Sequence, residues 1–212
     1  SYSDHGGPVR YYASWSWSAY VAPFMELSNQ HDTLDVTHKY GSQSMVDPLV
    51  VAVLQTPVAT LRCPSDTAKD LNNAGGEYQP ADLNGTRSSV ASASYVGVCD
   101  ANNARVDNRQ RQCQGVLYVD SDTKFRDISD GTSNVLMAGE RCRESMHARC
   151  QRMQNNGGAL AFVIASSNPL AHDNRGNAAA VGSVNRGINW DSTVSDCGNL
   201  WNAKSSFHSL HP

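Results

Sequence analysis

Residues 125–142 read Phe125-Arg126-Asp127-Ile128-Ser129-Asp130-Gly131-Thr132-Ser133-Asn134-Val135-Leu136-Met137-Ala138-Gly139-Glu140-Arg141-Cys142, joining a turn to an apolar run. Asp130-Gly131 marks a sharp reversal, because glycine tolerates positive φ and the aspartate carboxylate accepts bonds from nearby backbone N–H groups. Thr132, Ser133 and Asn134 follow with side chains that hydrogen-bond to local backbone. Val135-Leu136-Met137-Ala138 has the length of a central strand, and Gly139 and Glu140 end it. Asp130, Gly131 and Asn134 are read as a structural turn feeding a core strand, with a ligand site as the competing reading.

Upstream, Ser92 to Cys99 and Gly115 to Val119 have strand composition, separated by a polar loop that carries Arg105, Arg109 and Arg111. Val58 to Arg62 reads as a strand entering Cys63-Pro64-Ser65-Asp66, where proline and aspartate turn the chain. Lys69 to Arg87 is polar, with no apolar period, and reads as a surface loop. Its Asn84-Gly85-Thr86 matches the glycosylation triplet, which is frequent by chance and is set aside. Asp47-Pro48 is a helix start, with Asp47 as cap and Leu49 to Leu54 as apolar body, and Thr56-Pro57 stops it.

Nearer the first residue, Trp17, Tyr20, Phe24, Leu27 and Leu34 recur at helical spacing, so one stripe of large apolar groups faces the core. Pro23 kinks that helix or divides it. Downstream, Ala159 to Ala165 is an apolar run consistent with a strand deep in a sheet. From His172 to Lys204 small and polar residues dominate, and Trp190 and Trp201 are the expected anchors and the candidate ligand aromatics.

The 212 residues suffice for one large domain, read as 1–212 with a loop-rich insertion at 143–204. The formal net charge of -3, with Lys and Arg scattered among Asp and Glu, gives no electrostatic footprint for nucleic acid. No apolar run reaches the roughly 18 residues of a membrane span, so the expectation is a soluble chain. Six cysteines without a Cys-x-x-Cys pair point to disulfides and export more than to zinc. About 15 full pairings are open. Local spacing favours Cys99 with Cys113 and Cys142 with Cys150, leaving Cys63 for Cys197.

Residues that could carry chemistry do not form a known constellation. Ser133 lies in a turn, not on the Gly-x-Ser-x-Gly elbow of a hydrolase. His208 and His211 are three apart, but Pro212 and the serines before them favour irregular chain over a metal-binding helix. Asp120, Asp122, Asp127 and Asp130 offer oxygens that calcium would accept, yet their spacing departs from the EF-hand rule. Neither Gly75-Gly76 nor Gly157-Gly158 sits in a phosphate-binding pattern. No catalytic set and no cofactor is expected, calcium being the one ion kept open.

Phe125-Arg126-Asp127-Ile128, Asp130 to Asn134 and Gly139-Glu140-Arg141 together resemble the hallmark of a prepilin-like family of unknown function. This is domain of unknown function 1559, of the type with a His-x9-Asp-Gly C-terminal signature, abundant in planctomycete-type bacteria. Trp15 to Ala19 running to Pro23-Phe24-Met25-Glu26, Cys63-Pro64-Ser65-Asp66, Ser94-Tyr95-Val96-Gly97 and Phe207 to Pro212 resemble its remaining blocks, in the same order. The resemblance spans nearly the whole chain, with 143–204 outside it.

The resemblance implies an α+β fold: a pilin-like globular head with an N-terminal aromatic helix on an antiparallel sheet, loop-rich and disulfide-stapled. Such proteins carry a processed leader and an apolar stem before the head, and a Gly-rich strand after the position of His211; here the head alone is expected. The implied role is a non-enzymatic, extracellular or cell-surface subunit of a pilin-like or pseudopilin-like filament or secretion assembly, with copies of itself as partners. The alternative is a secreted module that binds carbohydrate or peptide through exposed aromatic residues. Trp15 and Trp17 separate the two: packed in a core they favour the subunit, lining an open groove they favour the binder.

Overall fold

The computed structural model describes residues 12–73, 78–100, 115–118, 121–147, 152–155, 158–166, 179–184, 207 and 209. Strand β1 (Tyr12–Trp15) leads into a helical layer of α1 (Trp17–Val21), a 3-10 turn over Ala22–Met25, α2 (Ser28–Leu34), α3 (Gly41–Ser44) and α4 (Pro48–Leu54). The strands that follow are β2 (Leu71–Asn72), β3 (Val90–Ala93), β4 (Tyr95–Asp100), β5 (Ala138–Glu140), β6 (Glu144–His147), β7 (Arg152–Asn155), β8 (Ala159–Leu160), β9 (Val163–Ser166) and β10 (Val181–Ser183). The fold is α+β.

Among the described residues the strands form four small sheets, ordered β1-β9, β10-β4-β5, β2-β3-β8 and β6-β7. All pairings are antiparallel except that of β10 with β4. Residues 159–165 are buried throughout and tie two of these sheets together. Ala159 and Leu160 pair with β3, the chain bends at Ala161 and Phe162, and Val163 to Ser166 pair with β1. Two backbone bonds hold the bend, Ala161 N to Ala91 O at 2.9 Å and Ser16 N to Phe162 O at 2.9 Å. The expected deep strand is thus a bent pair of short ones, and it forms the spine of the core with Val90, Val96, Phe162 and Phe207.

Helix α4 forms as its sequence dictates. Asp47 Oδ1 accepts from Leu49 N at 2.9 Å, Pro48 occupies the first turn, and Val50 and Leu54 are buried four residues apart. The aromatic stripe does not. Pro23 tightens residues 22–25 into a 3-10 turn and Glu26 takes a left-handed conformation (φ 61°), which breaks the 3.6-residue phase. Ala19, Ala22 and Leu34 are therefore the buried positions, while Tyr20 is 56% and Phe24 88% exposed.

Three further expectations change. Val58 to Arg62 is not a strand: Ala59–Leu61 is a 3-10 turn that buries Leu61. Gly115 to Leu117 lies along the end of β4 through bonds to Cys99 O and Val98 O without joining a ladder, and Val119 lies outside the described residues. Val135 to Met137 is the approach to a strand: β5 begins at Ala138, and Leu136 and Met137 are exposed. No helix among the described residues is long and apolar enough to cross a membrane.

Candidate functional site

Ser94, between β3 and β4, is where the motifs separated in sequence meet. Its N–H donates to Leu61 O at 2.8 Å and its carbonyl accepts from Arg141 N at 2.8 Å. Its hydroxyl donates to Asp66 Oδ2 at 2.9 Å. Asp66 Oδ1 accepts from Ala68 N at 3.0 Å, and Asp66 N donates to Cys63 O at 3.0 Å, so one carboxylate both shapes the Cys63–Asp66 turn and docks it on the strand. The Arg62 guanidinium holds the far side of that turn by donating to Ala68 O at 2.6 Å and Lys69 O at 3.0 Å.

One residue further, Tyr95 faces Glu140 across the β4–β5 pairing, and Glu140 Oε2 accepts from Ser209 Oγ at 2.7 Å. Gly139 stands beside them. A Cβ there would approach the Phe207 ring to 2.5 Å, so the buried ring lies against bare backbone of β5. Arg141 is 0% exposed, and burial pulls its guanidinium down to about 10 while Tyr78 and Cys142 act the other way. Burial, with the neighbouring Cys63 and Glu140, raises the Tyr95 phenol. Arg143 is buried as well, donating to Asn73 Oδ1 at 2.7 Å.

The blocks around Cys63, Ser94, Gly139 and Phe207 are thus four walls of one closed polar cluster. Ser94, Cys63 and Cys142 are buried, and the hydroxyl of Ser94 is aimed at a carboxylate already engaged with backbone. What these groups can do chemically is fix four distant segments in one geometry. Sequence reasoning singled out the blocks but missed Arg141 and Arg143 as buried cations and Phe207 as the partner of Gly139; the Gly-Glu-Arg spacing on one strand was the available signal.

The Asp130-Gly131 turn lies on the outer side of the same strand. Gly131 has φ 82°, its N–H donates to Ile128 O at 3.2 Å, and Asn134 Nδ2 donates to Asp130 O at 2.8 Å. The turn is structural, and its side chains are exposed. Beside it opens an apolar groove of about 570 Å³ walled by Leu117, Ile128, Val135 and Met137, with Phe125 at its rim. Lys124 is the one charged residue among its lining groups.

The remaining predicted positions do not gather. Asp127 accepts from Lys124 N at 3.0 Å and sits 3.7 Å from Arg126 Nε, Asp122 is exposed, Asp130 closes its own turn, and Asp120 lies outside the described residues. No group of three or more metal-ligating side chains occurs among the described residues. Trp190, Trp201, His208 and His211 also lie outside them.

Cys99 is buried and disulfide-bonded, and its expected partner Cys113 lies outside the described residues. Cys63 and Cys142 are buried thiols, so the expected pairings Cys63 with Cys197 and Cys142 with Cys150 are not formed here. Cys63 faces into its own turn, with Sγ 3.1 Å from Ser65 Oγ, and Cys142 follows the buried Arg141 into the cluster. Cys150 and Cys197 lie outside the described residues.

Trp15 and Trp17 are half-buried against the hydrophobic core, and each indole N–H is taken by a backbone carbonyl, Lys39 O at 2.7 Å and Ala180 O at 3.0 Å. A family model described as "Protein of unknown function (DUF1559)" matches residues 1–212. No curated protein and no solved structure matches the chain.

Proposed function

The chain belongs to the DUF1559 family of proteins of unknown function, and from that premise we propose that it is a non-enzymatic structural subunit of a pilin-like or pseudopilin-like assembly. It acts outside the cell or at its surface, and its partners are copies of itself. The observation that carries this reading is the closed cluster at Ser94, in which the family-like blocks bind one another and leave no polar group aimed into an open cleft. Blocks of that kind preserve the shape of a building unit. The indoles of Trp15 and Trp17 support the same reading, since their donors are used internally and not offered to a ligand. Cys99 in a disulfide suits export.

The groove beside the Asp130-Gly131 turn favours a second reading, a secreted module that binds peptide or carbohydrate, with Trp190 and Trp201 as its candidate aromatics. Sedimentation velocity over a concentration series separates the two. A subunit gives a mass that climbs with concentration. A binding module stays monomeric and retards on an immobilised glycan or peptide column.

A further inference from the structure

Resting on the subunit reading, we propose that the ridge formed by Tyr20 and Phe24 of one copy seats in the groove between Leu117 and Met137 of the next, a head-to-tail contact that repeats along the assembly. Tyr20 and Phe24 are four residues apart and face outward, whereas Ala19 and Ala22 are buried and fix the opposite side of the chain in the core. The ridge therefore has no way to turn inward. Phe125 at the groove rim is 84% exposed and Met137 is half exposed, so neither surface covers the other within one molecule.

The fit has three physical parts. The groove, at about 570 Å³, is within the range that encloses a compact apolar group. Covered aromatic rings bury about 150–250 Å² each. Tyr20, Phe24 and Phe125 with the aliphatic walls thus supply an apolar centre for a contact of about 1,200–2,000 Å², the size of a stable interface. Charge agrees as well: the exposed Glu26 follows the ridge, and Lys124 is the charged lining residue of the groove.

Because ridge and groove are different surfaces, each copy offers one of each to a neighbour. Such heterologous contacts build filaments unless their rotation closes a ring. A single exposed aromatic standing apart from the core is otherwise a liability for a secreted protein.

The test is complementation by analytical ultracentrifugation of the 212-residue chain. Phe24→Ser removes the ridge and keeps the groove; Met137→Asp spoils the groove and keeps the ridge. Each variant alone is expected to sediment as a monomer where the unaltered chain forms larger species. Their equimolar mixture is expected to stop at a dimer, twice the monomer mass. Either variant assembling like the parent, or a mixture that stays monomeric, overturns the contact, as does a small molecule found in the groove by native mass spectrometry. A parent that assembles and ignores both substitutions removes this contact but leaves the subunit reading. A parent monomeric at every concentration removes both. Circular-dichroism melts verify folding, and Phe24→Gln and Val135→Lys replace a variant that fails that check.

Discussion

Ser94 and Asp66 lie 28 residues apart in the chain, and the Ser94 hydroxyl donates to the Asp66 carboxylate at 2.9 Å in a site closed to solvent. That bond docks the Cys63–Asp66 turn on the β3–β4 junction. Removing the hydroxyl leaves a buried, charge-bearing acceptor short of a donor. Ser94→Ala is expected to destabilise the chain by roughly 1–3 kcal/mol, the cost of stranding such a group. A guanidinium midpoint equal to that of the parent would show that the docking is carried elsewhere.

Gly139 and Phe207 make a second long-range dependence. A Cβ at Gly139 would come within 2.5 Å of the Phe207 ring, so Gly139→Ala forces ring or strand to move. The expected loss is about 1–3 kcal/mol, the usual range for overpacking a core. Phe207→Leu in the Gly139→Ala background should recover part of it, and strict additivity of the two losses in denaturant melts would separate the residues.

Gly131 is different in kind. A Cβ there meets nothing closer than Asn134 Nδ2 at 3.9 Å, so space is open, but φ is 82°. Gly131→Val should destabilise by roughly 1–3 kcal/mol from backbone strain alone, with Gly131→Asn tolerated better because asparagine enters left-handed regions more readily. Equal losses for the two replacements would locate the effect in packing.

Asp35 ends α2 in a left-handed conformation (φ 56°), and the hydrogen bond from His38 at 2.8 Å, then that from Lys39, holds its carboxyl below the usual range. A carboxyl whose folded pKa lies below its unfolded value stabilises above the unfolded value, and that contribution is lost as pH falls through the folded one. Asp35→Asn, which suits the left-handed backbone, should therefore melt below the parent at pH 7, with the gap closing as pH drops under about 4. A gap that persists at the acid end would assign the difference to something other than the carboxylate's charge.

Local chemistry was legible in the sequence, and long-range geometry was not. Asp47-Pro48 and Asp130-Gly131 carry their own instructions, a cap with a proline in the first turn and a glycine at positive φ, and both form as read. Tyr20 and Phe24 fit a helical period on paper, but one proline and the left-handed Glu26 shift the phase and turn both outward. Val135 to Met137 has strand composition, yet β4 pairs only from Ala138, leaving the run to line a groove. The family-like blocks were recognisable one by one. Nothing in their spacing revealed that Ser94 joins two of them, that Phe207 needs a glycine opposite it, or that Arg141 is enclosed, because each depends on segments dozens of residues away.

The most direct test of the subunit reading is negative-stain electron microscopy of the purified chain across a concentration series. Ordered polymers with a regular repeat, growing in number with concentration, are the predicted result. A uniform field of single particles at the highest concentration, from protein that retains a defined glycan or peptide through Trp190 or Trp201, would contradict it.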